Sequence, residues 1–122
     1  MFSKNFFLLA ACAATLMFVP AAAAPDTPAD GFIVVNADGT MARASQGYGV
    51  FKYGTGQYEI SYTSSLHNCA YSITAGSSDN TVPPESFATV VGRRENQLVL
   101  EVQTFDSNGQ AADEGFHLIV RC

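Results

Sequence analysis

Residues 57–63, QYEISYT, alternate strictly, with Tyr58, Ile60 and Tyr62 set against Gln57, Glu59 and Ser61. A period of two puts the first set on one face of a strand and the second on the other, so the segment predicts a strand buried on one side and solvated on the other. The alternation recurs at 68–75, where Cys69, Tyr71 and Ile73 oppose Ser72 and Thr74, and at 97–105, where Leu98, Leu100 and Val102 oppose Glu101 and Gln103. It closes the chain at 116–122, with Phe116, Leu118, Val120 and Cys122 on one side and His117, Ile119 and Arg121 on the other. Four further segments read as strands: apolar FIVVN at 32–36, a return at 41–46 poor in β formers, 48–53, and the short apolar run 87–92. Turn chemistry separates them. Ala37-Asp38-Gly39-Thr40 holds the Asp-Gly hairpin signal, Gly54-Thr55-Gly56 joins 48–53 to 57–63, and Arg93-Arg94-Glu95-Asn96 and Asp106-Ser107-Asn108-Gly109 form two more turns. A long polar loop covers 76–84, and no stretch beyond residue 24 has a 3.6-residue period. Seven to eight short strands with turns at near-regular spacing predict an all-β chain, an antiparallel β-sandwich or jelly-roll-like domain.

The first two dozen residues do not belong to that pattern. Lys4 gives residues 1–5 a positive charge, 6–19 is an apolar run of fourteen, and Pro20 is followed by four alanines. This is the anatomy of a secretory signal peptide, and the run falls short of the roughly 20 residues that a membrane-spanning helix needs. Cleavage is expected after Ala23, with Ala21 and Ala23 as the small residues the peptidase reads; cutting after Ala24 would set Pro25 behind the scissile bond. A rival reading takes Leu9-Ala10-Ala11-Cys12 as a lipobox with Cys12 lipidated, but the apolar stretch before Cys12 is very short and 13–19 is still apolar. The expected organisation is a signal peptide at 1–23, an arm at 24–30 containing PDTPAD, and the β domain at 31–122, secreted or periplasmic.

Removing the leader changes the arithmetic of the whole chain. The 122 residues are 48% hydrophobic and 14% charged with net charge −5, whereas residues 24–122 keep five basic and eleven acidic side chains, net −6. So acidic a chain without a basic cluster argues against nucleic acid and against anionic membrane surfaces as partners, and no membrane insertion is expected. Three cysteines become two, Cys69 and Cys122, and even parity in an exported chain implies one disulfide. Both cysteines fall on the apolar sides of their strands, which predicts that the bridge ties the last strand into the core.

GTGQYEISY at 54–62, NCAYSI at 68–73 and FHLIVRC at 116–122 resemble small exported bacterial β domains of pattern GTGxYEVxF, CAY and FHLxVxC, which carry no assigned activity. More distantly, the chain is similar to sandwich domains at the tips of phage fibres and collagen-like proteins, in which a GxYxVxF strand precedes a DxxGxxxD turn and a closing strand. Here Asp106 through Asp113 would be that turn, and Ile60, Ser61 and Tyr62 stand where the pattern has Val-Thr-Phe. The resemblance spans about 31–122 and implies a fold, with a trimer open but unsupported because no fibrous stalk precedes the domain.

Candidate chemistry is sparse. No G-x-S-x-G elbow is present, and His67 and His117 are fifty residues apart. Glu59 with Glu101, or Asp113 with Glu114, could pair as glycosidase carboxylates, yet the first pair sits on solvated faces and the second is adjacent in sequence. Asp106, Asn108 and Asp113 offer oxygen ligands for calcium, but they lack the EF-hand spacing and match what a turn needs. No metal or cofactor is expected. Tyr48 and Tyr53 could form a stacking platform for a sugar or a partner, although the absence of tryptophan, the largest flat stacking surface, weakens a carbohydrate reading, while Tyr58, Tyr62 and Tyr71 read as core. The expectation is therefore a non-catalytic interaction module for an unknown protein or glycan, or alternatively a small inhibitor of an enzyme. Binding would fall to loops grouped at one end: Ser78, Asp79 and Asn80, then Arg93 and Arg94, then Asp106, Asn108 and Asp113.

Overall fold

The structure is a computed structural model that describes Ala14, residues 29–79, Thr81 and residues 85–122. The expected signal peptide apart from Ala14, its cleavage site at Ala23, the lipobox Cys12 and the loop residue Asn80 lie outside the described residues. Eight strands follow in order: β1 Gly31–Val35, β2 Met41–Ala44, β3 Gly49–Gly54, β4 Gln57–Ser61, β5 Ala70–Ala75, β6 Ser86–Gly92, β7 Val99–Asp106 and β8 Phe116–Arg121. They form two four-stranded sheets in the orders β2-β1-β8-β5 and β3-β4-β7-β6, and every pairing is antiparallel. This is the predicted all-β sandwich, with each strand within about two residues of its sequence-derived bounds.

The core forms where the alternation requires it. Ile33, Val35, Phe116, Leu118 and Val120 of the first sheet meet Tyr58, Ile60, Leu100 and Val102 of the second, all fully buried. Tyr58 and Phe116 pack edge to face across the sheets with ring centroids 5.2 Å apart. The Tyr58 hydroxyl donates to the Ala37 carbonyl at 2.7 Å, so the largest core side chain also fixes the β1–β2 turn. Thr104, fully buried on β7, donates to the Ala112 carbonyl at 2.6 Å and so holds the 106–115 segment against its own strand.

Gly56 shows why the β3–β4 hairpin needs glycine. Its φ is +62°, and a Cβ there would press on the backbone oxygens of Thr104 and Ala112. The same residue donates its N–H to Asp113 at 2.8 Å, and Lys52 Nζ reaches that carboxylate at 3.1 Å. Both contacts favour the charged form. The Gly56 N–H, ahead of Lys52, holds the Asp113 carboxyl below its ordinary pKa.

The arm is fastened beneath the opposite end of the sandwich. Ala29 is buried, its carbonyl accepts from the Tyr48 hydroxyl, and Asp30 accepts the Cys122 N–H at 2.8 Å. Cys69 and Cys122 form the expected disulfide, with Cα atoms 4.0 Å apart. Because Ala70 pairs with Arg121, the bridge extends the β5–β8 ladder by one residue, joining neighbouring strands of one sheet. Cys69 packs against the core, whereas Cys122 is exposed, since β8 ends at Arg121 and its last residue lies past the covered interior. Leu98 likewise departs from its predicted burial, because β7 begins only at Val99 and Leu98 is held in the preceding turn by Asn96.

Candidate functional site

Strand register separates the loops expected at one end of the sandwich. β6 starts at Ser86 opposite Asp106 and ends at Gly92 opposite Leu100, so Asp106 and Arg93 flank opposite ends of a seven-residue strand, about 20 Å long. Ser78, Asp79, Asp106, Asn108 and Asp113 lie toward the upper end, with the β1–β2 and β3–β4 turns; Arg93 and Arg94 follow β6 at the lower end. A single binding end assembled from all three loops is therefore not what the fold builds.

At the upper end the turn residues are largely committed to the backbone. Asp106 Oδ1 accepts the N–H groups of Asn108 and Gln110 at 2.9 and 3.0 Å, closing its own turn. Asp113 is engaged with Gly56 and Lys52, so the acidic residues of this segment are used separately and form no common oxygen cage. Among the described residues no group of three or more His, Cys, Asp or Glu is placed to hold a metal ion. A cleft of about 360 Å³ lies beside Asn36, Ser77, Ser78, Asp79, Thr81 and Glu114. The hydroxyls of Ser77 and Thr81 donate to Asp79 and hold its carboxyl below its ordinary pKa. Arg43 Nη1 donates to the Ser78 carbonyl at 3.0 Å, and His117 Nε2 lies 2.9 Å from that of Ser77. Arg43 and His117 are the two cross-strand partners of Val34, which is buried although it sits on the outer face of its sheet.

His67 and His117 are held apart by nearly the whole of β5: His67 precedes the strand, and His117 pairs with Thr74 near its end. The fold thus brings together no pair of histidines. Glu59 and Glu101 do meet, as direct cross-strand partners on the outer face of the second sheet. Two carboxylates so placed repel, and Arg93 answers the repulsion. Its Nη2 lies 2.6 Å from Glu59 and also contacts Glu101, while Nε donates to Glu101 at 3.0 Å. The hydrogen bond to Glu101 leads the interactions that raise the Arg93 pKa above its ordinary value. Arg93 thereby belongs to a sheet face, and the alternation of β4 and β7 already placed its two carboxylates there.

The same face carries side chains that lie far apart in the sequence. Phe51 is 63% exposed, Val91 58%, Phe87 47% and Tyr53 41%. Phe51, Glu59, Glu101 and Val91 form one cross-strand row; Gln57, Gln103 and Thr89 form the next; Phe105 and Phe87 form the third, stacked with centroids 4.9 Å apart. Tyr53 sits in the β3 bulge beside Gln57, with burial first and the Glu101 and Glu59 charges next raising its pKa against the opposing pull of Arg93. Tyr48, the other half of the expected stacking platform, is buried and packs on Tyr62 at 4.9 Å, because the arm covers it. Tyr58 and Tyr62 are core residues and Tyr71 is partly buried against the core, as expected.

No protein-family model, no curated protein and no solved structure matches this chain. No helix among the described residues is long and apolar enough to cross a membrane.

Proposed function

We infer that the protein is an exported, non-catalytic interaction module that engages its ligand through the outer face of the β3-β4-β7-β6 sheet. The observation that carries this reading is the grouping of Phe51, Tyr53, Phe87 and Val91, each at least 41% exposed, around the Arg93–Glu59–Glu101 cluster. Isolated exposed hydrophobics are common; several on one sheet face around an ordered polar centre support reading that face as a recognition surface. Export is supported by the leader-like composition of residues 1–23 and by the disulfide, which forms and persists in oxidising compartments.

Hydroxyl-radical footprinting of the oxidised protein, alone and with envelope material or spent medium of its source, tests the reading. Protection of Phe51, Tyr53 and Phe87 is the expected result. Protection confined to Asn36, Ser78 and Glu114 of the upper cleft, or protection nowhere, overturns it.

A further inference from the structure

The same face also indicates what kind of ligand it takes, an inference that rests on the reading above. Its outward side chains span four strands and about five residues, roughly 15 Å by 15 Å from strand geometry. That patch covers a few hundred Å², far below the roughly 800 Å² per partner that a standard protein–protein interface buries. A second copy docking here would also have to cover Arg93, Glu59 and Glu101, whose charges are already satisfied within one chain and would lose water without gaining a partner. A slender ligand needs only a patch of this size, and its hydroxyls can replace the water it displaces from the Glu101 carboxylate.

The order of side chains across the sheet is informative. Flat rings occupy the two margins, Phe51 and Tyr53 on the β3 side and Phe87 stacked on Phe105 on the β6–β7 side. Between them lie Gln57, Gln103, Glu59 and Glu101, planar groups that present paired donors and acceptors, with the Arg93 guanidinium fixing the two carboxylates. Sugar rings have this same duality, with C–H faces that pack on aromatic rings and equatorial hydroxyls that form paired hydrogen bonds to amides and carboxylates. Three inter-strand spacings, about 14 Å, separate the margins, so an extended oligosaccharide can lie across the strands and reach both. The three-charge cluster has a net charge of −1, and the whole chain is acidic at −5, which selects against a polyanionic glycan.

We propose that the outer face of the β3-β4-β7-β6 sheet binds a neutral polysaccharide chain, with Phe51, Tyr53 and Phe87 as stacking surfaces and Gln57, Gln103 and Glu101 as hydroxyl partners. The test is affinity electrophoresis of the oxidised protein through gels containing soluble β-1,4-glucan, glycol chitin, mannan or soluble starch, with polygalacturonate as the charged control. Retardation by at least one neutral polymer is expected, weakened tenfold or more in Phe51→Ala and in Tyr53→Ala. Both side chains are exposed, so these variants should fold, and an unchanged thermal transition verifies it. Asp79→Asn, in the upper cleft, should be retarded like the parent. Retardation by polygalacturonate alone, by none of the polymers, or equally in the face variants overturns the proposal. So does a dimer in sedimentation that is abolished by Phe51→Ala. If footprinting protects the face while no neutral polymer retards the protein, the face is a recognition surface and the polysaccharide assignment alone is wrong.

Discussion

Removing the disulfide by Cys69→Ala together with Cys122→Ala should lower stability chiefly through the unfolded chain. The bridge closes a loop between residues 53 apart in sequence. In the chain-entropy treatment a loop of that size restricts the unfolded ensemble by about 4 kcal/mol at 25 °C. The native side contributes little to the difference, because Cys69 and Cys122 are already set opposite each other by the β5–β8 register and Cys122 is exposed. A domain of this size gains roughly 0.2 kcal/mol per degree in unfolding entropy, so 4 kcal/mol corresponds to about 20 °C. Removing a native bridge from a small domain typically costs about 2–5 kcal/mol, which, taken up to the entropic value, sets the expected fall in Tm at about 10–20 °C. Thermal circular dichroism at pH 7 reads this directly. Urea titration adds a second observable, since an unbridged unfolded chain exposes more surface and should raise the m-value. A Tm within about 3 °C of the parent with an unchanged m-value would mean that the bridge does not restrain the unfolded chain.

Three further perturbations probe the local account. Thr104→Val leaves the half-buried Ala112 carbonyl without its side-chain donor and should cost about 1 kcal/mol, with faster amide exchange at Ala112 and Glu114. Asp113→Asn should destabilise the protein at pH 7; because the folded pKa of Asp113 is depressed, its stabilisation is complete above the unfolded value near pH 3.9 and vanishes as pH falls through the folded value, so parent and variant unfolding curves should converge in acid. Arg93→Met exposes the repulsion between Glu59 and Glu101 and should lower Tm in low salt, an effect diminished by high salt and partly reversed by adding Glu59→Gln.

The fold was legible because its strands alternate cleanly. Tyr58, Ile60, Leu100, Val102, Leu118 and Val120 all lie on the face their period assigned, and hairpin chemistry at Asp38-Gly39 and Gly54-Thr55-Gly56 marked two of the turns. Three-dimensional grouping was not legible. Arg93 follows a strand in sequence, and only the β6–β7 and β4–β7 registers reveal that it lies over Glu59 and Glu101 and away from Asp79. Tyr48 and Tyr53 look alike in the sequence, flanking one glycine-rich strand; the fastened arm buries the first and the edge position of β3 leaves the second open. Phe51, Phe87 and Phe105 read individually as strand residues, and their common face emerges only when β3, β6 and β7 are placed in one sheet. In β3 the alternation pointed the other way, since Phe51 and Tyr53 share one side of the strand and Lys52 lies on the other; only Phe87, on the same side of β6 as Thr89, carried a signal.

The ligand is proposed to lie on the outer face of one sheet, and not at the loops at its ends. A two-dimensional ¹⁵N–¹H titration of the labelled, oxidised protein with short fragments of the most strongly retarding neutral polysaccharide tests it residue by residue. Shifts concentrated at Phe51, Tyr53, Glu59, Glu101, Gln103 and Phe87 are the predicted result. Shifts concentrated at Asn36, Ser78, Asp79 and Glu114, or no saturable shift at all, would contradict it.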